Sequence, residues 1–431
     1  MSITSAMFTG VSGLLANAEG INVIGNNLAN VNTVGFKSGR MLFSDLLSAN
    51  IGNSSQIGRG TQIQKVDNIF GQGSFETTEA VTDLAIQGNS FFAVMDPNAT
   101  APVNQNAAML TRAGAFRLDS SLNLVNPDGY QVLDTQGNPI KFSDNAAGIA
   151  AANIAVTTAY TPLATAYNTQ AGTINTAAGA LVTAVAGGTA PEIAAAAAIQ
   201  TAATDAQTAA TAATVTPSAA TIAAAQAAFA TLTATTAANG AILATNFSAD
   251  FTTFNTALTT ANTANDTAMT TAATPITTAE ALLGTANGLA FSKITSIDSS
   301  GLITYLGKDG ITTNYYNASG QVGVAANAAT SATVQRLAVV TVANPGGLDK
   351  AGGTLFKPTT ASGITSAAFS LADNSANGSS EKIYTNSLEQ SNVDMAGQFV
   401  KMILTQRAYS ANSKTITTAD EMTQEVLNLK R

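Results

Sequence analysis

The chain has 431 residues and a net charge of −8, and only 10% of its residues are charged, against about a quarter in an ordinary soluble domain. It contains no His and no Cys, which excludes disulfides, zinc sites of the His/Cys type, Cys nucleophiles and Ser-His-Asp triads. The acidic balance argues against a nucleic-acid binder, and the length suggests two to four domains. A surface so poor in charge either depends on something other than charge repulsion for solubility or is meant to associate. No run of about 18 apolar residues is present, so no membrane-spanning helix is expected. The start, Met1-Ser2-Ile3-Thr4, lacks the basic and apolar regions of a cleaved signal peptide. The expectation is a chain that stays in the cytosol or is exported by a route needing no cleaved signal.

Residues 1–31 carry a helical stripe. Ile3, Met7, Val11, Leu14, Ala18, Ile21, Ile24, Leu28 and Val31 are spaced by threes and fours with a mean step of 3.5, the coiled-coil period. Gly10, Gly13, Gly20 and Gly25 interrupt it, each costing about 0.5–1 kcal/mol relative to Ala. Such a helix is marginal alone and needs partners. The last 40 residues repeat the pattern in Met395, Phe399, Met402, Tyr409, Ile416, Ala419, Met422, Val426 and Leu429. Both ends therefore read as amphipathic helices. They pack either on the body of a domain or on each other and on copies in neighbouring subunits.

Residues 32–75 read as a connecting extended segment. From 76 to 145 the period changes to two, with short strands at Val81–Ile86, Phe91–Met95, Ala115–Leu118 and Leu122–Val125. Asn126-Pro127-Asp128-Gly129 and Asp134-Thr135-Gln136-Gly137-Asn138-Pro139 are turn signals. Strand patterning resumes over 291–389, at Ile294–Ile297, Leu302–Leu306 and Val334–Val342. The two stretches are expected to form one discontinuous antiparallel β domain around an insertion.

That insertion, residues 146–290, holds 52 Ala and 34 Thr among its 145 residues. Its only charges are Glu192, Asp205, Asp250, Asp266 and Glu280. Ala favours helix and Thr does not. Helix starts are signalled at Thr189-Ala190-Pro191-Glu192, at Thr216-Pro217 and at Thr274-Pro275, with a stop at Asn239-Gly240. A small bundle of Ala-packed helices is expected, a disordered Ala/Thr stalk being the other reading. The fold class is thus α+β: terminal helices 1–31 and 390–431 paired as a coiled coil, a β domain over 76–145 and 291–389, and a helical inserted domain.

Several blocks carry a resemblance to a known family. Val11-Ser12-Gly13-Leu14 followed by Ile24-Gly25-Asn26-Asn27-Leu28-Ala29-Asn30-Val31-Asn32-Thr33-Val34-Gly35-Phe36-Lys37 resembles the N-terminal signature of bacterial flagellar rod and hook proteins. Gly71-Gln72-Gly73 with Asp83-Leu84-Ala85-Ile86-Gln87-Gly88-Asn89-Ser90-Phe91-Phe92 is similar to the family's next block, and Thr111-Arg112-Ala113-Gly114-Ala115-Phe116 to a third. Leu388-Glu389-Gln390-Ser391-Asn392-Val393-Asp394 and the run from Met402 to Tyr409 resemble its closing helix, with Asn392 or Asp394 able to cap it. The resemblance covers about two thirds of the chain and leaves 146–290 unmatched.

The resemblance implies a structural subunit of an axial tube, with terminal helices innermost and the insertion outermost. Family rod proteins are shorter and typically lack a large central insertion, and the distal rod protein has a long loop after its first helix. Here the stretch 47–60 is short, which points to the hook, with the distal rod protein as the alternative. Implied partners are other copies of the chain, the distal rod protein, the hook–filament junction protein, the hook cap and the flagellar type III export apparatus. The implied location is the extracellular hook and basal body, with no nucleic acid and no membrane insertion.

Residues expected to carry assembly are Ile3, Met7, Val11, Leu14, Ile21, Ile24, Leu28, Phe36, Phe399, Met402, Tyr409, Ile416, Val426 and Leu429. Asn26, Asn27 and Asn30 read either as a polar ladder between subunits or as solvated positions. No catalytic, cofactor-binding or metal-ligating residue is expected. Asp119, Asp128, Asp298 and Asp309 lie in turn-forming surroundings, and Asp119-Ser120-Ser121-Leu122-Asn123 lacks the Gly and Glu of a calcium loop. A secreted adhesin is the remaining class, and it has no need of the paired terminal helices.

Overall fold

The structure is a computed structural model that describes residues 3–47, 49–52, 55–316, 334–376 and 381–429. The chain divides into two compact units. One comprises Met1–Ser143, Phe291–Leu306 and Thr313–Arg431; the other comprises Asp144–Ala290 and Gly307–Thr312.

In the first unit, helix α1 (Ile3–Ala29) runs antiparallel to the closing helix, and an eight-stranded antiparallel sheet holds the core. The central strand Phe91–Met95 shows why this core forms. All five of its residues are at most 2% exposed, and alternate side chains enter opposite faces. Phe92 and Val94 join Leu84, Phe116, Leu124 and Tyr305 on one side, while Phe91, Ala93 and Met95 join Leu110, Val340 and Phe356 on the other. Its neighbours are the strands Met109–Thr111 and Gln131–Val132 along the ladder, with Val339–Val340 also paired to it. The expected strand Val334–Val342 is regular only at Val339–Val340, with isolated bridges at Arg336 and Leu337.

The turns share one device. Asp119 Oδ1 accepts the backbone N–H groups of Ser121 and Asn123, and Asp298 Oδ1 accepts those of Ser300 and Leu302. Asp134 Oδ1 does the same for Gln136 and Asn138, at 2.9 Å each. A short carboxylate placed two residues before the first donor completes the turn without help from another strand. Asp134 differs in being fully buried, with Oδ2 lacking a hydrogen-bond partner among the described residues.

The second unit is a bundle of four helices: α2 (Ala146–Ala184), α3 (Ala190–Val215), α4 (Ala219–Leu243) and α5 (Ser248–Leu289). A short turn of helix in the first unit, Leu371–Asn374, is α6, and the closing helix Met395–Leu429 is α7. Ala dominates the bundle's core, in which Ala171, Ala178, Ala203, Ala206 and Ala210 are fully buried beside Ile174, Ile199 and Leu232. Thr, poor as a helix former, is accommodated because its hydroxyl turns back onto the carbonyl four residues earlier. Thr161, Thr165, Thr169 and Thr173 do so in succession along α2. The α3 start is as expected: Thr189 and Glu192 form a capping box, and Glu192 also accepts from Asn246 at 2.7 Å.

Two helix signals are corrected. The run after Thr274-Pro275 is no new helix, because Pro275 lies inside α5; likewise α4 is capped by Ser218 and continues through Gly240. Proline removes one backbone donor but does not stop a helix whose faces are held by neighbours.

An Ala/Thr surface carries almost no information on how two helices align. The α2–α3 pair obtains it from amides: Gln207 Nε2 donates to Asn168 Oδ1 at 2.9 Å, and Gln200 Nε2 to Asn175 Oδ1 at 2.7 Å. These pairs are one heptad apart on each helix, so any slip other than a whole heptad leaves all four amides unmatched.

Burial pushes the Asp134 carboxyl up to about 7. Its protonated form is therefore favoured in the folded state. The associated stability is complete below the unfolded value of about 4 and is lost as pH rises through about 7. Calorimetric melting from pH 4 to 7 should show Asp134→Asn losing less stability than the wild type over that interval; parallel curves would refute the assignment.

Candidate assembly surface: the terminal helix pair and its clasp

The α1–α7 contact is built mainly from small and polar residues, with Ile24, Met402 and Ile416 as its large apolar members. On α1 the inward positions are Gly10, Gly13, Ala16, Gly20, Ile24 and Asn27, all buried. On α7 they are Gln398, Met402, Thr405, Ala408, Asn412, Ile416, Ala419 and Thr423, buried or half-buried. The glycines are close-approach points. A Cβ on Gly10 would lie 2.9 Å from Ile416 Cγ1, and one on Gly13 2.7 Å from Asn412 Nδ2. The residues that weaken α1 as an isolated helix are thus the ones that let α7 lie against it.

The larger apolar side chains face away. Phe8, Val11 and Leu15 are exposed on α1, and Phe399, Val400, Ile403 and Leu404 on the first turns of α7. Met422, Val426, Leu427 and Leu429 are exposed near the end of α7. Among the residues expected to carry assembly, Met7, Leu14, Ile21, Leu28, Asn30, Phe36, Met402 and Ile416 are half-buried in the single chain. Val11, Asn26, Phe399, Tyr409, Val426 and Leu429 are exposed, and Ile24 and Asn27 are buried. The side chain of Ile3 lies outside the described residues.

A buried charge cluster fixes where the two helices begin and end. Lys37 Nζ lies 2.7 Å from Glu389 Oε1, and Arg112 Nη1 3.3 Å from Glu389 Oε2, with all three side chains at most 1% exposed. Glu389 Oε1 also accepts the N–H of Gly73 at 2.8 Å. Two cations share one carboxylate, so carbonyls take up further donors, while Arg112 Nε has no hydrogen-bond partner among the described residues. Lys37 donates to Gly71 O, and Arg112 to Ile86 O and to Gly88 O at 2.6 Å. The guanidinium also stands 5.0 Å from the centre of the Phe91 ring. Burial lowers the pKa of Lys37 and of Arg112, and Glu389 pulls each back up. Gly35, at φ +69, passes so close to the Arg112–Ala113 backbone that a Cβ would sit 2.4 Å from Ala113 N.

Two asparagines complete the clasp. Asn27 exchanges two 2.8 Å hydrogen bonds with the backbone of Gly39 and reaches Gln398 on α7. Asn392 accepts from Ser38 N and donates to Ile69 O. The helix cap falls to the other candidate, Asp394, whose side chain accepts from Ala396 N at 3.1 Å. Lys37, Arg112 and Glu389 each lie within a signature block, yet nothing in the linear sequence assigned them a role. A charged residue inside each of three blocks, in a chain with 10% charge, was the available signal.

Two measurements test this architecture. Glu389→Gln leaves two buried cations without a counter-charge and should destabilise the first unit by about 3–5 kcal/mol in chemical denaturation. A loss under about 1 kcal/mol would mean that the carbonyls suffice. Second, a Cβ on Gly25 would meet no atom of the described residues within 4 Å, so Gly25→Ala should stabilise α1 by about 0.5–1 kcal/mol, whereas Gly10→Ala should destabilise it. Melting followed by far-ultraviolet circular dichroism reads both signs, and stabilisation by both would exclude the close seam.

Three family models match in chain order: "Flagella basal body rod protein" over residues 7–37, "Flagellar hook protein FlgE/F/G D1 domain" over 85–159, and "Flagellar basal body rod FlgEFG protein C-terminal" over 384–429. Among curated proteins the chain is 26% identical to the flagellar basal-body rod protein FlgG of Bacillus subtilis, over 99% of both chains. It is 36% identical to the flagellar hook protein FlgE of Borreliella burgdorferi over 153 residues, which is 31% of this chain and 33% of that one. It is 34% identical to the FlgG rod protein of the same organism, over 35% of this chain and 58% of that one. The first and last family matches fall on α1 and α7 and on the clasp residues Lys37 and Glu389. The chain belongs to the flagellar hook and basal-body rod protein family, whose members are structural subunits.

Proposed function

We propose that this chain is the subunit of the flagellar hook, a flexible tube that transmits torque, and that it polymerises through the terminal helix pair. The observation carrying this reading is the two-sidedness of α1 and α7. Each turns mostly small residues towards the other and leaves most of its large apolar residues outside. Covering one such side chain contributes about 1.5–3 kcal/mol, against ordering costs of similar size per residue. The ends therefore order fully only when neighbouring copies cover them, which also suits passage of an unfolded chain through an export channel. Contacts between copies repeat head to tail along a helix without closing.

The short stretch at 47–60 favours hook over rod, whereas the insertion at 146–290 does not separate them, since the Bacillus subtilis rod protein aligns across it. With five charges in 145 residues, the insertion offers neighbours a surface on which sliding breaks no ion pairs, as a bending tube requires. In this reading the neighbours along the axis are the distal rod protein, the junction protein and the hook cap, and the chain leaves through the flagellar export apparatus. The second reading, a distal rod subunit, is favoured by the match to the Bacillus subtilis rod protein over nearly the whole of both chains.

Negative-stain images of purified protein distinguish the two: curved, flexible tubes are expected, and straight stiff ones would make it a rod subunit. Replacing Phe8, Leu15, Ile403 and Leu404 with Ser should abolish tubes while the β core still melts cooperatively. Tubes formed by that variant would overturn assembly through the helix pair.

A further inference from the structure

Pro162 and Pro275 stand within α2 and α5, and both line one open groove of about 810 Å³ along these helices, with Thr158, Ala159, Thr271 and Ala279. Each proline lacks an N–H, so the carbonyl four residues earlier, at Thr158 and Thr271, loses its helical donor. Both losses face the same space.

The position along the bundle is the second observation. The α2–α3 amide pair Asn168–Gln207, continued eight residues down both helices, brings Val215, the last residue of α3, level with Tyr160. On the other side Asn262 on α5 donates to Thr233 on α4. Continuing that register 14 residues brings Ala219, the first residue of α4, level with Ile276. So α3 ends and α4 begins at the height of the two prolines. Beyond them lie only the first 16 residues of α2 and the last 14 of α5, a two-helix stalk.

The stalk is thinly packed. Its buried residues on α2 are Ala152 and Tyr160, and on α5 Ala279, Ala286 and Gly288. Tyr160 donates to Glu280 at 2.7 Å, and Asn145 to Ala286 O at 2.8 Å, which ties the two stalk helices together on the stalk side of the prolines. The bundle beyond is held by the two Asn–Gln pairs and a continuous core.

The geometry points to a hinge at Pro162 and Pro275, about which the four-helix bundle tilts on its two-helix stalk. Two bodies, each closed by its own hydrogen bonds, meet at a level where both connecting helices have lost a backbone bond beside an open groove. Bending there breaks neither of the nearest side-chain hydrogen bonds, Tyr160–Glu280 and Asn168–Gln207, which lie wholly on one side or the other, and shifts only the apolar contacts of Val156, Tyr160 and Ile276 with the bundle core. The hinge does not depend on whether the polymer is hook or rod.

The absence of Cys makes the test direct, since two engineered cysteines are the only labelling sites. In the full chain, spin labels at Asn153→Cys on the stalk and Thr201→Cys on the bundle report across the prolines. Labels at Thr165→Cys and Ala194→Cys report within the bundle. Double electron–electron resonance should give a broad distance distribution for the first pair and a narrow one for the second. Adding Pro162→Ala and Pro275→Ala should narrow the first pair to the width of the second, with helix content kept or raised. Equal widths in the wild-type background, or a first-pair width unchanged by the double substitution, would overturn the hinge.

Discussion

One carboxylate holds the ends of this chain in place. Glu389 lies 352 residues from Lys37 and 277 from Arg112, and it meets both where water is excluded. Isolated surface ion pairs contribute little, but a buried group with two opposed charges is costly to disrupt, because removing one partner leaves a charge in a poor solvent. The cluster therefore acts less as glue than as a register mark. It accepts one relative placement of the residue 37 turn, the Thr111–Gly114 turn and the strand leading into α7. Asn27 and Asn392 add backbone hydrogen bonds on either side of it. The point where α1 leaves off and the point where α7 starts are fixed together.

From that fixed point two helices run out with little else to hold them. Their mutual seam is narrow, made mostly of glycine, alanine, threonine and amides with Ile24, Met402 and Ile416 among them, and depends on close approach at its glycines. Side-chain size divides the two faces: mostly small residues join the two ends of one chain, and most of the large ones stay exposed, where the proposed assembly would cover them. A coiled coil with large residues in the seam would be more stable alone and would offer neighbours less.

The inserted bundle follows a different logic. Alanine and threonine give a compact helical body almost without charge, and threonine's return bond to the carbonyl four residues earlier hides its hydroxyl from competing partners. So uniform a surface leaves alignment ambiguous, and two Asn–Gln pairs remove the ambiguity. Specification by a few polar contacts in a bland interface recurs in both units, through amides in the bundle and a carboxylate at the clasp.

The sequence alone determined the features set by local pattern. The 3.5-residue stripe announced both terminal helices, the Asp and Asn turns announced the hairpins, and the composition shift marked the insertion. Four ordered blocks pointed to the flagellar family. Tertiary structure decided what local pattern leaves open. A helix such as α1, with only Glu19 charged, has two faces able to turn inward, and only the arrival of α7 shows that the glycine face does so. Pro275 carries a start signal, yet its helix continues because packed neighbours compensate for one missing hydrogen bond. Lys37, Arg112 and Glu389 look like ordinary surface charges in a linear reading. Their burial exists only once three distant segments meet, since desolvation is a property of the folded surroundings and not of the residue.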